Sequence, residues 1–158
     1  MTQMYTMDHQ YVITDVMGEY NALAISDMGD GVIAPLGTAV CVFAGTPAGI
    51  VDVNLRVLGD GEEPPEQPAT AVAAACDIDV PSGTLDLRTS DNELVKRHDF
   101  GSPQRCRVLV AVTGRDEASD PANPPEVHHV WVQVVHRPTP RWRSQTSDAT
   151  SGYLSGTA

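Results

Sequence analysis

Two stretches decide the fold class: Arg105-Cys106-Arg107-Val108-Leu109-Val110-Ala111-Val112-Thr113, and then Val127-His128-His129-Val130-Trp131-Val132-Gln133-Val134-Val135-His136. Both alternate with a period of two. Cys106, Val108, Val110 and Val112 share one face of the first. His128, Val130, Val132, Val134 and His136 share one face of the second. β-Branched residues at every second position describe strands that rest one face on a core. The connection between them, Gly114 to Pro125, is acidic and carries three prolines, which cannot donate ladder hydrogen bonds. Gly114 permits a sharp exit from the first strand, and Arg115 and Asp116 can pair to hold the turn.

Working outward, the same pattern recurs. Gln10 to Met17 reads as a strand with Tyr11, Ile13 and Asp15 on one side, and Ala22 to Ile25 as a short second one. Asp27 to Gly31 is a turn by its Asp and Gly content; Asp27 and Asp30 lack the fuller ligand set and distant Glu of a calcium loop. Thr38 to Ala44 is apolar on both faces, as a central strand would be. Gly45 to Gly49 reads as a five-residue hairpin turn leading into Ile50–Leu58, where Val51, Val53, Leu55 and Val57 alternate with Asp52, Asn54 and Arg56. Gly59 to Pro68 reads as a solvated acidic loop. Ala69 to Val80 could form a helix by its alanines, but the run is short and ends in alternation before Pro81, so a strand over Val72 to Val80 is the preferred reading. Gly83 to Arg88 places Leu85 and Leu87 on one side. Thr89 to Gln104 reads as a polar connection anchored by Phe100. About eight short strands without an amphipathic helix describe an all-β fold, an antiparallel β-sandwich. The expected organisation is a loose N-terminus at 1–9, a sandwich domain at 10–137, and a disordered C-terminal tail at 138–158 in which Trp142 and Tyr153 are isolated aromatics.

A chain of 158 residues with 41% hydrophobic content can build one core without staples. Cys41, Cys76 and Cys106 are odd in number, sit in apolar runs and form no CxxC pair. They read as reduced core residues of a cytoplasmic protein. No run of about 18 apolar residues would span a membrane, and Met1 to Met7 do not have the form of a signal peptide. Net charge is −11, unevenly spread: residues 1–104 carry 16 acidic and 4 basic side chains, a net −12. That surface disfavours direct nucleic-acid binding, which needs Lys and Arg for phosphates, and would attract a basic protein.

Catalytic signatures are missing. There is no GxSxG, SxxK, Walker or GxGxxG motif. His128 and His136 lie about 26 Å apart along one strand at ~3.3 Å per residue, His128 and His129 face opposite ways, and no HxH pair exists, so the histidines read as structural or surface residues. Cys106 is flanked by arginines, but its alternation turns it to the core.

The residues Ala22-Leu23-Ala24-Ile25-Ser26-Asp27, Val40-Cys41-Val42-Phe43-Ala44-Gly45-Thr46, Cys106 through Asp116, and Val130-Trp131-Val132-Gln133-Val134 resemble a group of actinobacterial β-sandwich proteins, itself distantly similar to competence protein J, an inhibitor of a DNA-entry nuclease. The likeness covers about residues 10–137. After the last strand the chain departs from it: His136-Arg137-Pro138 stands where a tryptophan-proline ending belongs. No functional residue carries over.

The expected function is therefore a non-enzymatic, acidic protein-binding module, an inhibitor or immunity-type partner of a basic protein such as a nuclease, with no cofactor and no metal. The alternative is a structural or assembly subunit of a larger complex. The expected partner-binding residues are Asp60, Glu62, Glu63 and Glu66, with Arg115, Asp116, Glu117 and Asp120 second.

Overall fold

In a computed structural model, the protein is described over residues 2–6, 10–18, 31–45, 49–114 and 125–135. Ten strands lie in these residues: β1 (Thr2–Thr6), β2 (Gln10–Asp15), β3 (Ile33–Pro35), β4 (Ala39–Phe43), β5 (Gly49–Val57), β6 (Val72–Val80), β7 (Thr84–Thr89), β8 (Leu94–Asp99), β9 (Gln104–Thr113) and β10 (Glu126–Val134). They form two five-stranded sheets. Sheet I has the order β1-β5-β10-β9-β6 and sheet II the order β3-β4-β2-β7-β8. The sheets pack face to face as a sandwich.

The core follows from the alternation. Sheet I turns Val53, Ile78, Cys106, Val108, Val110, Val130 and Val132 inward, and sheet II answers with Tyr11, Ile13, Ile33, Val40, Val42 and Leu87, all almost fully buried. The β9–β10 hairpin is the centre of sheet I, with Val110 opposite Val130 and Val108 opposite Val132. Gly114 takes φ 77° at the hairpin exit, a left-handed angle that glycine adopts without strain.

Four features differ from the sequence reading. The joint at residues 45–49 is not a hairpin: β4 pairs with β3 and β2, whereas β5 pairs with β1 and β10. The chain therefore crosses there between sheets; Gly, Thr and Pro announce a turn but not what the turn joins. Second, β5 and β10 are parallel, the one such pair among otherwise antiparallel neighbours in the described residues. Third, part of the terminus expected to be loose is an ordered edge strand, β1, antiparallel to β5. Fourth, the polar stretch after Thr89 contains β8. Its residues are mostly exposed. It is held by pairing to β7 and by a Lys96 Nζ bond to the Leu55 carbonyl oxygen across the sandwich (3.1 Å), so its strand character leaves little apolar trace. The expected strand at Ala22–Ile25, the turn at Asp27–Asp30 and the tail 138–158 lie outside the described residues.

Candidate functional site

The topology of sheet I creates its most distinctive surface. β5 and β6 run in the same direction on either side of the β10–β9 hairpin. Residues 58–71 must therefore carry the chain over three inter-strand gaps. Val57 is level with Val132, Val108 and Cys76, while β6 starts four residues back at Val72. The diagonal is about 20 Å at ~4.8 Å per strand and ~3.3 Å per residue. Fourteen residues reach more than twice that, so the excess folds down onto the outer face of the sheet as a strap.

Specific bonds set its path. The Glu62 carboxylate pairs with Arg56 and accepts the Gly59 amide (2.9 Å). The Gly59 amide bond, with the Arg56 charge behind it, holds the Glu62 carboxyl below its ordinary range. Gln133 Nε2 donates to the Glu62 carbonyl oxygen (3.2 Å), and the Ala71 amide to the Pro68 carbonyl (2.9 Å). Beneath lie several apolar outward side chains of sheet I. Leu58, Ala111 and Trp131 form a buried cluster with Leu109 against it, and the His129 ring stacks on Trp131 at 5.8 Å between centroids. Between strap and sheet lies a cavity of about 240 Å³, walled by Pro64, Pro65, Ala75, Leu109, Ala111 and Trp131. The stretch read as a solvated acidic loop is mostly exposed, as a solvated loop would be, but Pro64 and Pro65 turn to the sheet's apolar side chains across the cavity.

This fixes where the expected partner-binding residues stand. Asp60, Glu63 and Glu66 are exposed along the strap. Among the described residues, the carboxylates of Glu63 and Glu66 have no ion-pair partner. Glu62 belongs to the strap's own scaffold. Arg115, Asp116, Glu117 and Asp120 lie outside the described residues. The base of their loop, Gly114 and Pro125, is at the end of sheet I where the strap enters β6, since Val72 faces Val112. Two other carboxylates of the sheet are neutralised locally: Arg107 pairs with Asp77 (3.0 Å) and Arg105 with Asp79 (2.7 Å).

A second constellation sits inside the sandwich. The Tyr11 hydroxyl of β2 is 2.8 Å from His128 Nδ1 of β10. His128 Nε2 is 2.6 Å from Glu126 Oε2, and the Gly45 amide donates to Glu126 Oε1 (2.9 Å). Tyr11, His128 and Glu126 are all fully buried. A carboxylate only accepts, so His128 carries its proton on Nε2 and its Nδ1 lone pair accepts the tyrosine proton. Burial, and then the charge of Glu126, push the Tyr11 pKa well above its ordinary value, which keeps that proton in place. With no solvent contact, the chain of bonds clamps the two sheets together and touches nothing outside. His128, read as a structural or surface residue, lies in the core between the two sheets; its partners Tyr11 and Glu126 had no sequence signal. Burial also pushes the Cys41 and Cys76 thiols up to about 12 and Cys106 to about 11, so the arginines beside Cys106 do not activate it. Among the described residues no group of His, Cys, Asp or Glu side chains is placed to hold a metal ion, and no helix is long and apolar enough to cross a membrane.

Ten strands in two layers, with the chain strapped across one outer face, define an all-β sandwich protein. Neither protein-family models nor curated proteins match the sequence. Solved structures do resemble the fold. ComJ from Bacillus subtilis, described as the inhibitor of the DNA-degrading activity of NucA, superposes with a TM-score of 0.60 at 10% identity, covering 85% of this chain and 96% of ComJ. Crocagin biosynthetic protein J matches with a TM-score of 0.49 at 20% identity, covering 82% and 94%. The distant likeness to competence protein J is thus present at the level of the fold.

Proposed function

We propose that the protein is a non-enzymatic binding module that engages a basic protein, as an inhibitor or immunity-type partner would, through the acidic strap on sheet I. The observation that carries the reading is the set of exposed carboxylates, Asp60, Glu63 and Glu66, on a segment whose backbone is fastened to the sheet. Charges on a fastened segment can be presented to a partner with less ordering entropy lost on binding. Negative charge of this kind matches the cationic groove a nuclease uses for phosphate, speeding association and blocking substrate. A shared fold with an inhibitor of DNA degradation supports the same direction. So does the complete burial of Tyr11, His128 and Glu126, which keeps these bonded polar groups from any substrate. Residues 115–120, with Arg115, Asp116, Glu117 and Asp120, form the second contact in this reading. Three buried free cysteines favour a reducing, cytoplasmic setting.

The test is a DNA-degradation assay in which the purified protein is titrated against basic nucleases from its own host at low and high salt. Inhibition should weaken as salt rises, and the D60K/E63K/E66K variant should associate about 10- to 1000-fold more slowly. Inhibition indifferent to both salt and charge reversal would refute the reading; so would its complete lack.

A further inference from the structure

The strap covers its face of sheet I incompletely. The cavity it leaves, about 240 Å³, is smaller than the ~300–1,000 Å³ of ordinary small-molecule and cofactor sites. Its walls are proline rings, alanine methyls, Leu109 and the Trp131 indole, with Gln67 the only polar side chain on its rim among the described residues. Such a space suits one large apolar side chain, and it lies beside carboxylates that carry charge outward: Glu63 and Glu66 flank Pro64 and Pro65 in sequence. An apolar pocket with two exposed carboxylates next to its lining prolines in the chain selects an apolar residue next to positive ones. The combination also fits how interfaces distribute energy, with one desolvated anchor at the centre and charge at the rim.

We infer that this cavity is the anchor pocket for a partner segment in which a leucine-sized or aromatic side chain is flanked by Arg or Lys. The inference rests on the binding role proposed above and adds the chemistry of the contact. The apolar side chain enters between Pro64, Pro65 and Trp131, while the flanking cations meet Glu63 and Glu66. Charge at the rim sets the rate of encounter and the anchor sets the rate of departure.

Trp131 walls the pocket, so it reports occupancy. The chain has two tryptophans; the W142F variant leaves Trp131 as the single emitter. The probe is a synthetic Arg-Arg-Leu-Arg-Arg peptide, with two controls: the leucine replaced by alanine, and the arginines replaced by glutamate. The leucine peptide should shift Trp131 emission saturably. The alanine peptide should bind about tenfold or more weakly, as the burial energy of a leucine side chain requires, and the glutamate peptide should not bind. An Ala75→Phe variant, which fills the cavity from a half-buried position, should lose the leucine peptide while keeping its far-UV circular dichroism. No saturable binding of the leucine peptide, or equal binding of the leucine and alanine peptides, overturns the inference with no variant needed. Equal binding by the folded Ala75→Phe protein does the same. If the folded Ala75→Phe protein inhibits a nuclease as tightly as the parent and in the same salt-dependent way, the pocket is refuted and the acidic-strap reading stands.

Discussion

Replacing His128 by leucine removes one residue and orphans two others. The imidazole joins a tyrosine of sheet II to a glutamate of sheet I, all three without solvent contact. In His128→Leu the Tyr11 hydroxyl loses its acceptor, which costs about 1–3 kcal/mol for a buried polar group. Glu126 keeps the Gly45 amide but loses the Nε2–H bond to its carboxylate, and a hydrogen bond to a charged group contributes about 1.5–3 kcal/mol. Leucine fills much of the vacated space. The expected loss is therefore about 2.5–6 kcal/mol, a substantial part of the ~5–15 kcal/mol that holds a domain together. Removing the orphans should give much of it back. Tyr11→Phe in the same chain should recover about 1–3 kcal/mol, and Glu126→Gln more, because the amide carries no charge to bury. The measurement is a double-mutant cycle by urea denaturation, with midpoints compared at constant slope. A single-variant loss below about 1 kcal/mol, or additivity within about 0.5 kcal/mol, would show that the three side chains do not act as a unit.

Other expectations follow from the same contacts. Glu62→Ala should speed amide hydrogen exchange across residues 59–67 with little change in the global unfolding midpoint, whereas Glu63→Ala should leave exchange there unaltered, because Glu62 alone of the two is bonded to Arg56 and Gly59. Raised pKa values at Tyr11, Cys41, Cys76 and Cys106 mean that the folded state holds protons that the unfolded chain releases at lower pH. This stability is fully present below about pH 8.5, where unfolded thiols are protonated, and falls as pH rises toward 11–12, by up to about 1.4 kcal/mol per pH unit for each group; a flat urea midpoint from pH 8 to 10.5 would contradict it. Asp86, buried and bonded to Arg97 (2.7 Å) and Arg88 (2.7 Å), has its carboxyl lowered chiefly by the Arg97 hydrogen bond. Its contribution is present above about pH 4 and lost as pH falls through the depressed folded value. Asp86→Asn should therefore flatten the acid limb of the stability curve and weaken the fold at pH 7 by about 1.5–3 kcal/mol, measured by urea melts at pH 3 to 7.

Much of the fold is legible in the order of residues, and the reason is local. Alternation at Val108, Val110 and Val112 or at Val51, Val53 and Leu55 binds each strand to one buried face through its own neighbours, so spans such as Val72–Val80 coincide with what the pattern outlines. Gly114 as the hairpin exit is legible for the same reason: only its own backbone angle is at issue. The edge strands β1 and β8 are not. β8 buries little, so hydrophobicity leaves no period to find, and β1 looks like any polar terminus until β5 is beside it. The site divides in the same way. Acidity at Asp60, Glu63 and Glu66 is a property of the residues themselves. The strap's seat on Trp131, the cavity beneath it, and the scaffold role of Glu62 arise only because β5 and β6 are parallel across an intervening hairpin. Tyr11 and His128 are separated by 117 positions, and nothing in either neighbourhood requires the other. Sequence by itself determined which faces are apolar and where the charge lies, since burial is decided residue by residue. Tertiary structure alone decided which strands meet and what lies over them, since pairing depends on how the whole chain closes around one core.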